Sequence, residues 1–129
     1  AEGVQMGTRF ALTDESSASD IFKEYCLRLN EGDTKLLLKK LAPTRLVTNS
    51  FRDRVEAAEG RGASAEELRE LLGRGRAKKG IFEGDLEEGE LEIGQVAALF
   101  RRRQSVDEVM KELLEGYRRA SDKIRSAGL

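Results

Sequence analysis

Near its start the chain reads Gly3-Val4-Gln5-Met6-Gly7-Thr8-Arg9-Phe10. Val4 and Met6 alternate with other residues, as the core-facing positions of a β-strand do. Gly7 permits a turn and a close approach of the backbone to another group. Backbone N–H groups in such a turn, with the Thr8 hydroxyl beside them, suit an anion such as phosphate. The pattern predicts a strand that ends either in a plain turn or in a phosphate cradle.

A second unusual segment, residues 73–95, is rich in glycine and in acidic residues. Its glycines follow neither the GxGxxG nor the Walker A spacing, so a dinucleotide fingerprint is not indicated. The carboxylates lack EF-hand spacing and predict a solvated acidic loop in preference to a cation site; they are Glu83, Asp85, Glu87, Glu88, Glu90 and Glu92. Within the segment we expect a short helix over Ala77–Phe82, an acidic turn over Asp85–Gly89, and a helix that begins at Gly94-Gln95.

These two segments together resemble the nitronate monooxygenase family, formerly called 2-nitropropane dioxygenases. The run Gly3–Phe10 is similar to the last barrel strand of that family. Residues 75–89, followed by residues 92–99, are similar to its C-terminal Gly-Asp…Gly-Gln signature, in which Gln95 occupies a marked position of undetermined role. FMN-dependent enoyl-acyl-carrier-protein reductases belong to the same superfamily.

The resemblance implies an α/β fold, the C-terminal fragment of a (β/α)8 TIM barrel. A complete barrel typically needs about 250 residues, and this chain has 129. We therefore expect residues 1–129 to be the C-terminal portion of one FMN-binding barrel domain. Residues 1–12 would form the last strand and its phosphate loop, and residues 13–129 a mostly helical C-terminal region.

By the same resemblance, the cofactor is FMN. Gln5, Met6, Gly7 and Thr8 would hold its phosphate, mainly through backbone N–H groups and the Thr8 hydroxyl. The chain contains no histidine, so the histidine implicated in catalysis in the family has no counterpart here. We expect no catalytic residue within this chain, and no histidine-based or zinc metal site.

Helical periodicity predicts four amphipathic helices in the remainder. The first carries Ile21, Phe22, Tyr25, Cys26 and Leu29. A second begins at Asn49 or Ser50, and a third at Ser64 with a capping box to Glu67. The last begins at Ser105 with a capping box to Glu108. One face of this helix is apolar and would either pack on the core or form a dimer; its residues are Val106, Val109, Met110, Leu113, Leu114 and Tyr117.

Between the first two helices, Asp33–Leu41 is predicted to be extended up to the break at Pro43. Arg45 resembles a basic position near the active-site mouth of the family, although a structural role for this arginine is the preferred interpretation. Cys26 lies on the apolar stripe of its helix, which predicts a buried and inert thiol. Arg101-Arg102-Arg103 is interpreted as a solvated helix end in preference to an anion-binding patch.

Composition narrows the class of partner. The chain has 23 basic and 24 acidic residues, which does not favour a nucleic-acid surface, and it has no long apolar run for a membrane span. We expect a cytoplasmic enzyme that acts on a small molecule, with homodimerisation as a further expectation.

The function implied by the resemblance is oxidation of alkyl nitronates with O2 by an FMN-dependent nitronate monooxygenase. The 129-residue chain alone is expected to be inactive. The alternative within the superfamily is an FMN-dependent enoyl-acyl-carrier-protein reductase that uses NAD(P)H and an enoyl thioester. The alternative from another class is a small helical interaction module without enzymatic activity.

Overall fold

The computed structural model describes residues 2–128. In chain order its elements are α1 (Thr8–Ala11), α2 (Asp20–Cys26), β1 (Thr34–Leu37), β2 (Thr44–Val47), α3 (Ser50–Gly60), α4 (Ala65–Leu72), a π-helical turn (Lys78–Phe82), a 3-10 helix (Gln95–Leu99) and α5 (Val106–Ser126).

The two strands form an antiparallel hairpin. Thr34 is opposite Val47 and Leu37 is opposite Thr44. The extended conformation predicted for Asp33–Leu41 is confirmed for Thr34–Leu37. It is wrong for Leu38–Leu41, which form a turn in which the Leu41 N–H donates to the Leu38 carbonyl at 2.9 Å. The partner strand β2 was not predicted. The segment before the 3-10 helix runs along β2, because the Val47 N–H donates to the Leu91 carbonyl at 2.9 Å.

Side-chain caps fix where the longer helices begin. The Asn49 carboxamide oxygen accepts from the Arg52 N–H at 2.8 Å at the start of α3. The capping boxes predicted at Ser64 and Ser105 are both present, at the starts of α4 and α5. Each cap satisfies N–H groups that have no partner within the helix.

Apolar side chains form two core clusters. One packs α2 against the 91–97 segment and contains Phe22, Cys26, Leu91 and Ala97. The other packs the hairpin against α3 and α4, with Leu46, Phe51, Val55 and Leu68 among its buried members. Burial confirms the predicted apolar face of the first helix at Phe22 and Cys26, but the prediction is wrong for Ile21, which is 54% exposed.

The glycine-rich segment folds back on itself through a backbone contact. A Cβ placed on Gly89 would lie 2.2 Å from the Gly80 Cα and 2.3 Å from the Asp85 carbonyl oxygen. Arg76 ties this segment to α4 and its surroundings, since its guanidinium donates to the Leu72 and Glu88 carbonyls, both at 2.7 Å. The glycines of the signature are therefore explained in part by close packing.

The first segment differs from the prediction. Glu2–Met6 have no regular secondary structure, and Thr8–Ala11 are helical where a strand and loop over residues 1–12 were expected. Residue 1 lies outside the described residues. Strands are stabilised by hydrogen bonds to neighbouring strands, and within residues 2–128 both strands are already paired with each other. Val4, expected to face a core, is accordingly 81% exposed.

The last helix packs only near its start. Val109 is 1% exposed, but Met110, Leu114 and Tyr117 are 41%, 50% and 74% exposed. The expectation of a core-packing face is therefore correct for Val109 and wrong for these three residues. From Leu114 to Gly128 nearly all residues are exposed, so this part of α5 contributes little to the core.

Candidate functional site

The four residues predicted to hold a phosphate lie along one cleft. Gln5, Met6, Gly7 and Thr8 line a depression of about 330 Å³ whose opposite wall is largely apolar. That wall is formed by Val96, Phe100 and Leu113, with Arg9 at the edge. The cleft therefore brings the first motif beside the 3-10 helix and α5.

The Thr8 hydroxyl connects the two motifs found in the sequence. Its oxygen accepts a hydrogen bond from the Gly94 N–H at 3.0 Å, across 86 positions of sequence. A hydroxyl has one hydrogen to donate as well as lone pairs to accept with. Since Thr8 uses its oxygen as the acceptor toward Gly94, its hydrogen stays available for an anionic oxygen.

Gly94 allows this contact. Its φ and ψ of −69° and 151° are open to any residue, so the glycine is not required for its backbone conformation. A Cβ at this position would lie 2.5 Å from the Thr8 hydroxyl oxygen. The absence of a side chain at Gly94 is therefore what lets the two segments approach.

The start of α1 offers backbone donors to the cleft. No side chain caps the helix at Gly7, and the first N–H groups of any helix have no partner within it. A Cβ on Gly7 would meet nothing within 4 Å, so the space above this turn is open. These donors and the Thr8 hydroxyl fit an anionic oxygen group such as phosphate.

Arg9, the nearest basic side chain, is engaged elsewhere. Its guanidinium pairs with the Glu112 carboxylate of α5 and lies over the Phe100 ring at 4.6 Å from the ring centre. Arg9 therefore connects α1 with α5 and with Phe100, which follows the 3-10 helix. Because its charge is already paired with Glu112, an anion in the cleft would be bound mainly by backbone N–H groups and the Thr8 hydroxyl.

On the other side of Thr8 lies a second depression of about 450 Å³. Its lining includes Gly7 and Thr8 of the first motif, Glu92 and Gly94 of the second motif, and Arg45. Arg45 also lines a third and larger depression, of about 770 Å³, together with Gln95. The structure thus places both Arg45 and Gln95, whose roles the sequence left undetermined, next to the candidate site.

Glu90 and Glu92 form an acidic pair behind this region. The Glu90 residue is 8% exposed. Burial, then the charge and hydrogen bonding of Glu92, raise the pKa of the Glu90 carboxyl to about 7, against a smaller opposing effect of Arg76. The folded protein therefore favours protonated Glu90 at mildly acidic pH.

The other carboxylates of the acidic segment serve the local structure. Glu88 pairs with Arg54 through two hydrogen bonds of 2.8 and 2.6 Å, and Asp85 accepts from the N–H groups of Glu87 and Glu88. Hydrogen bonds to these carboxylates lower the pKa of Asp85 and of Glu88. No cluster of residues suited to a metal ion occurs within residues 2–128.

The buried thiol is confirmed. Cys26 is fully buried, and burial raises the pKa of its thiol to about 12. Because the thiolate is the reactive form, Cys26 contributes packing and no nucleophile.

The three consecutive arginines have different roles. Arg102 pairs with Glu108 and Glu112 of α5, and Arg103 with Asp14 and Asp20. Arg101 instead donates to the Leu29 and Phe100 carbonyls, at 2.9 and 3.1 Å, and lines the third depression. The prediction of a solvated helix end missed these partners; Asp14, Asp20 and Leu29 lie more than 70 positions away in the sequence.

Sequence reasoning also missed Gly94 as the partner of Thr8. The signal available was a glycine immediately before Gln95 in the second motif, which indicates a close approach without naming what approaches.

The fold and these two connected motifs define the class of protein. The chain belongs to the nitronate monooxygenase family, whose sequence model matches residues 1–116. Among solved structures it is similar to FabK from Thermotoga maritima, with 30% identity and a TM-score of 0.85 over 98% of this chain. A mutant of the same FabK gives 27% identity and a TM-score of 0.78, also over 98% of this chain.

The chain spans 40% and 37% of the length of these two FabK chains. The α/β fold expected from the sequence is confirmed by this likeness.

Among residues 2–128, none of the helices combines the length and apolar character needed to span a lipid bilayer.

Proposed function

We propose that this chain belongs to an FMN-dependent oxidoreductase in which Gln5, Met6, Gly7 and Thr8 hold the FMN phosphate. The observation that carries the proposal is the cleft that these four residues share, with the Thr8 hydroxyl hydrogen free to donate beside the uncapped start of α1. Membership of the nitronate monooxygenase family supports an enzyme over a helical interaction module.

The residues of this chain would bind and position the cofactor. N–H groups at the turn around Gly7, together with the Thr8 hydroxyl, would donate to phosphate oxygens. Gly94 would hold the Thr8 oxygen in place, so that the hydroxyl hydrogen points away from that bond. Bound FMN would supply the redox chemistry, on a scaffold completed by further strands of a barrel.

We infer that the reaction is oxidation of an alkyl nitronate with O2, which the family match supports. The second candidate is NAD(P)H-dependent reduction of an enoyl thioester, which the likeness to FabK favours. Both reactions use the same cofactor, so the proposed phosphate site does not distinguish between them.

Two assays on a longer flavin-loaded protein that contains this chain test the proposal. We expect oxygen uptake when an alkyl nitronate is added. We expect no oxidation of NADH when an enoyl thioester is added. Oxidation of NADH with an enoyl thioester, without oxygen uptake with a nitronate, would show that the protein is the reductase. Absence of bound flavin and of both activities would contradict the proposed oxidoreductase.

The 129-residue chain gives a complementary test. We expect no nitronate-dependent oxygen uptake from it when FMN is added, because it carries no histidine and only part of the proposed barrel. Turnover by this chain would show that the catalytic group lies within it, contrary to the proposal.

A further inference from the structure

The third depression, which we call the arginine groove, is lined by two cations and by apolar side chains. Its volume is about 770 Å³, and its lining includes Arg45, Arg101, Val96, Leu99 and Glu31. The groove shares Val96 with the apolar wall of the phosphate cleft, but neither arginine of the groove lines that cleft, so the function of the two arginines is a separate question.

Both arginines of the groove are held only by neutral groups. Arg45 donates from one terminal nitrogen to the Thr34 hydroxyl and carbonyl, at 3.3 and 3.5 Å. Arg101 donates from one terminal nitrogen to the carbonyls of Leu29 and Phe100. A guanidinium has five N–H donors in a planar fork, so each of these side chains keeps donors unused.

Neither charge is neutralised by a carboxylate. In the part of the chain that the structure describes, ion pairs within 4.0 Å involve Arg102 and Arg103 but neither Arg45 nor Arg101. Glu31 is the one acidic residue that lines the groove. Two arginines against one glutamate leave the groove with a net positive charge, which favours an anion.

The same groove exposes apolar surface. Leu99 is 76% exposed and Val96 is 41% exposed, and both lie on the 3-10 helix and line the groove together with the two arginines. An aliphatic chain resting on them would remove apolar area from water. A ligand that matches both features carries an oxyanion at one end and an aliphatic chain at the other.

We propose that the arginine groove binds a small amphipathic oxyanion, a phosphate or carboxylate on an aliphatic chain, through Arg45 and Arg101. The planar guanidinium fork suits the paired oxygens of either head group. Val96 and Leu99 contact the aliphatic part, and Glu31 opposes binding by its charge. This site is additional to the FMN phosphate site and does not depend on flavin binding.

Titrations on the longer protein that contains this chain, followed by NMR or calorimetry, test the proposal. The probes are octyl phosphate, octanoate and neutral octan-1-ol. Octyl phosphate or octanoate should bind in the groove, and octan-1-ol should bind much more weakly. Comparison of the two anions assigns the head group. Equal binding of all three probes, or binding of none, would contradict the proposal.

Variants locate the binding in the groove. Arg45→Gln and Arg101→Gln should each weaken binding of the anionic probe by about tenfold, the usual range for a lost charge-assisted hydrogen bond. Glu31→Gln should strengthen it, because a repelling charge is removed. Leu99→Asn should weaken octyl phosphate binding while leaving the weaker binding of methyl phosphate unchanged.

Arg118→Gln is the matched control, since Arg118 is exposed on α5 and is not part of the groove lining. It should leave the affinity unchanged. Thermal unfolding of every variant checks that the fold is retained. If a folded Arg45→Gln and a folded Arg101→Gln both bind the anionic probe as the wild type does, the groove is not the binding site.

Discussion

At the residue scale, one hydroxyl joins the two motifs of the family. Thr8 accepts from the Gly94 N–H, and Gly94 has no side chain that would displace it. The same hydroxyl is the donor that we assign to the FMN phosphate. A change at Gly94 should therefore act on Thr8, although the two residues are far apart in sequence.

Gly94→Ala is expected to destabilise the chain. Its backbone conformation suits alanine, so the loss arises from the Cβ that would lie 2.5 Å from the Thr8 hydroxyl oxygen. Threonine has few alternative rotamers, and turning the hydroxyl away gives up the bond to Gly94. We expect a loss of about 1–2 kcal/mol in the free energy of unfolding, measured by urea denaturation.

The double variant Thr8→Ala, Gly94→Ala separates this contact from general damage. Removing the threonine hydroxyl also removes the clash, so the double variant should lose less stability than the sum of the two single variants. Strictly additive losses would show that Gly94 does not act through Thr8.

The buried Glu90 carboxyl should make stability depend on pH. Its pKa is raised from 4.5 to about 7 in the folded state, first by burial and then by Glu92. As pH rises through this range, the unfolded chain releases the proton while the folded chain keeps it. The contribution of Glu90 to the free energy of unfolding therefore falls between pH 4.5 and about 7 and levels off above that.

Glu90→Gln removes this titration and keeps the shape of the protonated side chain. Compared with the wild type, the variant should have similar stability near pH 4.5 and greater stability at pH 8, by no more than about 3 kcal/mol. Urea denaturation at both pH values measures the difference. A variant that is equally destabilised at both would show that the pKa of Glu90 is not raised in the folded state.

At the element scale, local chemistry determined which features could be predicted. The Ser64 and Ser105 capping boxes depend on residues three positions apart, and both occur where expected. The β1–β2 pairing and the Thr8–Gly94 bond depend on residues brought together by the whole fold, and sequence patterns did not reveal them. The expected strand before Gly7 is absent from the described residues because a strand requires neighbours to pair with.

The glycine-rich segment illustrates the same distinction. Its glycine spacing matched no known phosphate-binding motif and predicted no contact, whereas the structure shows that Gly80 and Gly89 pack against each other. Because the contact is between backbone atoms, neither side can yield by rotating a side chain. The contact therefore determines the path of the chain from α4 to the 3-10 helix.

Gly89→Ala should strongly destabilise this segment. The added Cβ would lie 2.2 Å from the Gly80 Cα and 2.7 Å from the Gly80 nitrogen, so the backbone itself has to move. We expect a loss of about 3 kcal/mol or more in the free energy of unfolding, measured by chemical denaturation.

Gly60→Ala is the control for this change. Gly60 ends α3, and a Cβ there would meet nothing within 4 Å. It should raise stability by less than about 1 kcal/mol, because alanine favours helix more than glycine does. Similar losses of stability for Gly60→Ala and Gly89→Ala would show that the Gly80–Gly89 contact is not the cause of the loss in Gly89→Ala.

At the scale of the whole molecule, the chain is an α/β unit of the nitronate monooxygenase family that spans 40% of the FabK chain it resembles. Its two core clusters hold the hairpin and helices, while the first segment and α5 expose apolar side chains such as Val4 and Tyr117. The predicted site residues all lie along one cleft, next to Arg45 and Gln95. This arrangement supports a role in cofactor binding more directly than a role in the chemical step.

The measurement that tests this account most directly is FMN affinity of the longer protein with Thr8→Val, determined by flavin fluorescence titration. Loss of one hydroxyl donor to the phosphate should weaken binding by about fivefold, on the order of 1 kcal/mol. Thr8→Ser keeps the hydroxyl and should retain nearly the wild-type affinity. If Thr8→Val binds FMN as tightly as the wild type, Thr8 does not hold the phosphate and the proposed site is wrong.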